Sequence, residues 1–408
     1  MACERNASVQ RPAVVAELEG NWRATLALPG GELPFGLIFA RDGERWNAEI
    51  VNGDDRIRVT EIELSGNALT VQMPGYENRL SATLAGEAMQ GELTMLKPGG
   101  KEQVIAFAAR RGAMYRFVNP AAPGDAASVG APADVSGRWA VTFDGNGQPS
   151  PAIGEFRQRG NEVVGTFLTP TGDHRYLAGD VVGNTLKLAK FDGGHVFLYE
   201  AQLAPDGTMQ GQFWSGTGYH ETFSARRDAK AELASAYDTT KMREGQQRLN
   251  FSFPDLDGKP VSSRDRRFAG KVLVVALAGS WCPNCHDEAA FLAPLYAEYR
   301  EQGLEIVSLM FEQFGDMPRA VEATERFRAR YGIEYTTLIA GTSDKQDAAL
   351  RMPELTGVFA FPTTIFIDRR GTVRRIHSGF AGPATGEHYE KLKSGFTALI
   401  TELLNETA

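Results

Sequence analysis

Two textures divide the chain. Up to about residue 230, apolar residues come in short alternating runs closed by glycine-containing turns. Leu37-Ile38-Phe39 precedes Arg41-Asp42-Gly43, and Leu186-Lys187-Leu188 precedes Asp192-Gly193-Gly194. Alternation with a period of two marks half-buried strands. Strands spaced by about 8–12 residues with such turns predict antiparallel sandwiches or small barrels.

This front part repeats itself. Gly20-Asn21-Trp22 returns as Gly137-Arg138-Trp139, and Gly66-Asn67-Ala68-Leu69 as Gly183-Asn184-Thr185-Leu186. Met89-Gln90-Gly91-Glu92-Leu93 returns as Met209-Gln210-Gly211-Gln212-Phe213. The offsets of 117, 117 and 120 keep order and spacing. Such a period is too long for a solenoid, whose repeats run about 20–50 residues, and predicts a duplicated domain. The Ala/Pro/Gly-rich stretch 119–134 reads as the linker between the copies. Residues 229–248 are charged and free of proline, and read as a helix or a solvated connector.

From Phe251 the pattern changes. Val272–Ala278 is a continuous apolar run, as expected of a strand buried on both faces. Cys285, Ala289, Leu292, Leu295 or Tyr296, and Tyr299 then recur at helical spacing. A strand (305–311), a helix (318–331), a strand (335–340) and a short helix (344–351) follow. Two more strands (363–368 and 373–378) and a terminal helix (387–404) complete the chain. Strands alternating with helices predict an α/β layer structure around a mixed sheet.

Composition narrows the function classes. The 408 residues exceed one ordinary domain, and 42% apolar with 23% charged residues is a globular balance. A net charge of −8 without a basic block argues against nucleic acid and anionic membrane surfaces. No apolar run approaches the roughly 20 residues of a membrane span. Three cysteines exclude a disulfide-stapled scaffold and a four-cysteine zinc site. The opening Met-Ala-Cys-Glu places Ala2-Cys3 where a bacterial lipoprotein signal would end. Cys3 is therefore a candidate lipid attachment residue, weighed against a chance surface cysteine.

Trp281-Cys282-Pro283-Asn284-Cys285 carries the strongest chemical signal. It stands where a buried strand runs into a helix, the context of a redox pair rather than of half a zinc site. His286 adjoins the pair, but one helical turn cannot close a tetrahedral metal site, and no metal is expected. The helix N-terminus favours an anion at Cys282, the expected attacking thiolate. Cys285, one turn inward, is expected to resolve the mixed disulfide. Pro283 suits the first helical turn, and Asn284 adds no charge. Trp281 shields the pair, packs at the strand end, or both.

The last part resembles the TlpA/ResA-like thiol–disulfide oxidoreductases. The likeness runs from about Phe251 to the C-terminus. It rests on Phe253-Pro254-Asp255-Leu256-Asp257-Gly258-Lys259, the Trp-Cys-Pro-Asn-Cys segment with Glu288, and Phe361-Pro362-Thr363-Thr364 before Ile367-Asp368 and Gly371. The resemblance implies a cis Pro362 beside the cysteines and a substrate strand pairing with the backbone at Phe361. It also implies an extracytoplasmic, periplasmic location, protein disulfides as substrates, a membrane thiol-transfer protein as electron donor, and no cofactor. Two departures stand out. The family's frequent proline after the helix glutamate is Ala290 here, which predicts a less kinked helix. The buried aspartate that thioredoxins keep six residues before the first cysteine is Ala276. Glu288 is the candidate substitute, weighed against a solvated helix residue.

The expected fold is an α/β thioredoxin-like C-terminal domain, a mixed sheet with flanking helices, preceded by two tandem all-β domains (small barrel or sandwich). The expected boundaries are a leader at 1–19, β domains at 20–118 and 135–228, and the thioredoxin-like domain at 249–408. The expected function is reduction of protein disulfides outside the cytoplasm. The rivals are a disulfide-forming oxidant, a β-domain ligand-binding protein with an accessory thioredoxin domain, and a copper chaperone. A peroxidase does not fit Trp-Cys-Pro-Asn-Cys. His174, His195 and His220 lack close spacing, and Trp22 and Trp139 read as matching core anchors.

Overall fold

The computed structural model describes residues 18–119, 131–145 and 147–406. Cys3 and most of the 119–134 linker lie outside them. The front part folds as two barrel-like antiparallel sheets. In the first, nine strands (β1–β9, Gly20 to Arg111) meander so that β1 (Gly20–Leu28) pairs with both β2 (Gly31–Asp42) and the last strand, β9 (Lys101–Arg111). The ladder is interrupted between β4 (Asp55–Val59) and β5 (Ile62–Ser65).

The second sheet (β10–β18, Gly137 to Arg227) closes completely. Its β10 (Gly137–Gly145) pairs with β11 (Gln148–Arg159) and β18 (Tyr219–Arg227), and β11 with β12 (Glu162–Thr169). The two-residue β13 (Gly172–Asp173) hangs as a spur on the end of β12. Closure leaves no open edge, and each strand turns one side chain in two to the interior.

The repeated sequence segments take the same roles in both sheets. Trp22 and Trp139 are fully buried. Each indole N–H donates to the carbonyl four residues earlier, Leu18 and Val135, at 2.9 Å. Each ring carries an arginine from the last strand of its own sheet, Arg111 at 4.6 Å and Arg227 at 4.7 Å. The cation–π contact sets a charged group against the face of each buried ring.

The two barrels share apolar surface. Ala189, Phe191, Val196 and Leu198, on β15 (Thr185–Phe191) and β16 (Val196–Leu203), join the core of the first barrel. Phe191 meets Phe35 with ring centroids 4.7 Å apart. Asn52 seals the seam by donating to the Phe191 carbonyl (2.6 Å) and accepting its N–H (3.1 Å).

The segment before the last domain is a connector with a single 3₁₀ turn at Ala236–Asp238, not a helix. Its sequence offers no apolar stripe at helical spacing to bury. A short hairpin, β19 (Ser252–Pro254) and β20 (Pro260–Ser262), leads into a five-stranded mixed sheet. The central β21 (Val272–Ala278) runs parallel to β22 (Leu304–Glu312), which runs parallel to β23 (Thr336–Thr342). On its other side β21 pairs antiparallel with β24 (Thr363–Ile367), and β24 with β25 (Val373–Ser378). Every residue of β21 and β22 is buried, as the continuous apolar run requires.

Helices α1 (Pro283–Tyr299), α2 (Met317–Tyr331), α3 (Lys345–Arg351) and α4 (Glu387–Asn405) pack on this sheet. Helix α1 does carry an interior proline, Pro294, four residues after Ala290. Its missing N–H leaves the Ala290 carbonyl without a helical donor.

The matched tryptophans give the fold its first test. Trp139→Ala should cost the second barrel about 3–5 kcal/mol, read by chemical denaturation with a probe in residues 137–227. Loss below 1 kcal/mol would remove the ring as the barrel's anchor.

Candidate active site

The cysteine pair is presented by the junction of β21 and α1. The chain leaves β21 through Gly279, where a Cβ would stand 2.3 Å from the Trp281 ring nitrogen and 2.7 Å from the Phe311 carbonyl. Only glycine passes there. The Trp281 N–H donates to that carbonyl at 2.8 Å, and its ring meets Phe361 edge-on at 5.7 Å. Beneath the loop, the buried Glu312 accepts the Ser280 N–H (3.0 Å), the Ser280 hydroxyl (2.7 Å) and the Thr324 hydroxyl (3.2 Å). Burial pushes the Glu312 carboxyl up to about 7.

Cys282 is the N-cap of α1, and Pro283 is its first residue. The free N–H groups of a first helical turn need acceptors, and the Cys285 N–H finds one in Cys282 Sγ at 3.3 Å. Both cysteines are free thiols, and Cys282 Sγ donates to the Phe361 carbonyl at 3.3 Å. The Phe361–Pro362 peptide is cis. Cys282 is only 4% exposed. The sequence residues Trp281, Cys282, Phe361 and Pro362 are therefore brought together.

Cys285 is fully buried, and burial, with the neighbouring Cys282, raises its thiol well above the usual range. Glu288 lies one turn on in α1 and is 1% exposed, so it is not a solvated helix residue. Burial lifts its carboxyl to about 7, against a single compensating hydrogen bond donated by the Thr364 hydroxyl. Thr364 is the ladder partner of Ala276. The helix thus delivers a carboxylate beside the strand position that holds alanine here. A buried acid near neutrality beside a buried thiol is suited to moving a proton.

The structure adds residues that no local sequence signal marks. Lys345, at the start of α3, donates to the Phe359 carbonyl at 2.6 Å. Asn284 is held by the second barrel, its amide donating to the Asp173 carbonyl (3.1 Å) and carboxylate (3.0 Å). The same carboxylate accepts the Gly382 N–H at 2.7 Å. Arg175, at φ 55, ion-pairs Asp192 at 2.6 Å and Asp287 of α1 at 2.9 Å. Tyr76 of the first barrel stacks near His286 at 4.2 Å. His286 donates from Nε2 to the Ser280 carbonyl at 2.7 Å. His174 fills the second barrel's interior against Tyr199 (2.6 Å), away from the cysteines. Tyr76, Asp173, Arg175 and Asp192 sit more than 80 positions from the motif in sequence, and Lys345 sits 60, so period and spacing could not find them.

Comparison with known proteins bears on this geometry. The Redoxin family matches residues 243–392. The thiol-disulfide oxidoreductase ResA of Halalkalibacterium halodurans is 31% identical over 142 residues, 35% of this chain and 72% of that protein. The chain belongs to this thiol–disulfide oxidoreductase family. ResA of Geobacillus thermodenitrificans is 30% identical over 157 residues, 38% of this chain and 82% of that protein. A thiol:disulfide interchange protein of Chlorobium tepidum, of the thioredoxin family, aligns with 43% of this chain and all of its own, at 20% identity and a TM-score of 0.30. The family membership makes this protein a thiol–disulfide oxidoreductase with a thioredoxin-like fold in its C-terminal part. The matched stretches lie in that part.

Two predictions follow from the buried charges. Glu288 has a higher pKa folded (about 7) than its ordinary 4.5, so between these values the folded state holds more protons than the unfolded one. Its contribution is full below the ordinary value and is lost as pH rises through the folded one. Glu288 should therefore contribute a fall in stability of up to about 3 kcal/mol between pH 4.5 and 8, and Glu288→Gln should remove that share while the similar share from Glu312 remains. Removing Arg175 leaves Asp192 and Asp287 buried with less compensation. Arg175→Ala should cost about 3–5 kcal/mol and speed amide exchange at Gly382, measured by hydrogen–deuterium exchange.

Proposed function

We propose that the protein reduces disulfides in substrate proteins outside the cytoplasm, through a mixed disulfide on Cys282. The observation that carries this reading is the pairing of a Cys282 sulfur at a helix N-terminus with a buried Cys285 beside Glu288. Cys282 attacks a substrate sulfur. Cys285, its proton passed to Glu288, then attacks Cys282 Sγ and releases the reduced substrate. Phe361 offers its backbone to the substrate chain next to cis Pro362. Trp281 walls the sulfur, Pro283 starts the helix without wasting a donor, and Asn284 ties the motif to the second barrel. A membrane thiol-transfer protein returns the electrons. Cys3, outside the described residues, is the proposed lipid anchor; no described helix is long and apolar enough to cross a membrane.

We further propose that the chain is three domains, 20–118, 135–228 and 249–408, the first two being copies of one barrel. Because Asp173, Arg175 and Tyr76 touch the active-site helix, the barrels are substrate docks rather than a separate binding module. Removal of residues 1–230 should then lower turnover on the natural partner; unchanged turnover would make them separable.

The direction of the reaction has a direct test in the reduction potential of the Cys282–Cys285 pair, read by alkylation gel shift with Cys3→Ser. A value near about −270 mV supports a reductase, and one near about −120 mV would make it an oxidant. Cys285→Ser should accumulate the mixed disulfide, and Cys282→Ser should form none.

A further inference from the structure

A cavity of about 280 Å³ lies where both barrels meet the cysteine-bearing loop. Trp281 and Pro283, the two neighbours of Cys282, form one wall. The first barrel contributes Tyr76 and Lys97, and the second contributes His195 and Phe197. Its size is just under the roughly 300–1,000 Å³ usual for drug-sized ligands, so it suits a small molecule rather than a protein segment.

The charges on its walls are unevenly satisfied. Glu77 is paired with Arg326 at 3.0 Å, and Glu312 accepts three hydrogen bonds. His195 leans on Asp192 (3.4 Å) and is held toward its neutral form by burial. Lys97, the last residue of β8 (Ala88–Lys97), differs. Burial lowers its pKa, and no carboxylate among the described residues offsets that cost. A half-buried lysine among the residues lining a cavity walled by aromatic rings is complementary to a carboxylate brought by a ligand.

We propose that this cavity binds a small disulfide bearing carboxylates, its carboxylate on Lys97 and its sulfur pair toward Cys282. The protein then reduces low-molecular-weight disulfides as well as protein ones. The proposal rests on the dithiol chemistry above. Cys282 thiolate attacks one sulfur of RS–SR, forming Cys282–S–SR and expelling RS⁻, which takes a proton from water. Cys285 passes its proton to Glu288, attacks Cys282 Sγ and expels the second RS⁻, which also takes a proton from water as Glu288 gives its own back to solvent. Two electrons leave the dithiol, Cys282–Cys285 becomes a disulfide, and two thiols are formed. The dithiol donor protein restores the pair.

The test uses the full-length reduced protein and three symmetric disulfides: dithiodipropionate (anionic), hydroxyethyl disulfide (neutral) and cystamine (cationic). Each rate is divided by the rate with dithiothreitol. We expect the anionic compound to react at least about tenfold faster than the neutral one, as a hydrogen bond to a charged group implies. Lys97→Met should collapse that ratio, and Lys97→Arg should keep it. An anionic compound no faster than the neutral one, or an advantage that survives Lys97→Met, overturns the cavity assignment. Failure of all three compounds overturns the dithiol reading instead, so the two failures are distinct.

Discussion

Arg175 is a half-buried guanidinium on which the relation of barrel to active site depends. It sits on the second barrel and reaches both Asp192 of that barrel and Asp287 of α1. Lys190, fully buried, adds a second cation to Asp192 at 3.3 Å. These charges were each withdrawn from water at a cost of several kcal/mol, and only mutual attraction in good geometry offsets it. The two anions fare differently. Asp192 is held well below the usual carboxylate range by Lys190, His195 and Arg175 despite its burial. At Asp287 burial outweighs Arg175, and the carboxyl is lifted to about 6. The inner half of the link is therefore firm and the outer half sensitive to mild acid.

That link fixes what the cysteines can meet. The β13 spur grips Asn284 through Asp173, and Gly194 lies against Pro283, where a Cβ would stand 2.9 Å from its ring. The two residues between the cysteines are thus covered by the chain's own barrel. Cys282 keeps its approach from the side of Phe361, where Phe359 is 46% exposed and Lys345 crosses to the Phe359 carbonyl. An incoming chain that pairs with the Phe361 backbone would meet this rim, while the cavity between the barrels and the cysteine loop has room only for a small group.

The local parts of this arrangement were legible in the sequence. Continuous apolar residues marked β21 as a strand buried on both faces, and the two-residue cysteine spacing at the start of an amphipathic helix marked the pair. Trp22 and Trp139, at equivalent offsets, marked equivalent anchors. The choice of barrel over sandwich was not legible, because alternation describes one strand's faces and says nothing about whether β11 reaches β12 around a ring. Glu288 was readable as a helix residue, but its burial depends on Thr364 from a distant strand. At the connector the sequence left two alternatives open: charged residues without proline permit a helix, but with nothing apolar to bury the segment is a connector. Arg175, Asp287 and Lys97 were invisible, since a charged residue in isolation reads as solvated and only contact between distant segments withdraws it from water.

Two buried glutamates near the cysteines, both lifted to about 7, show how the same shift serves different ends. Glu312 accepts three donors, from Ser280 and Thr324, which together pin the loop that leads to Cys282. Protonating it would weaken all three, so its ionised form is the one the loop is built around. Glu288 accepts one donor, from Thr364, and faces the thiol of Cys285, whose own acidity its charge opposes. A carboxylate with few fixed donors gains and loses a proton with little rearrangement, whereas one held by three does not. That contrast is why Glu288, and not Glu312, is the acid we propose as the proton partner of Cys285.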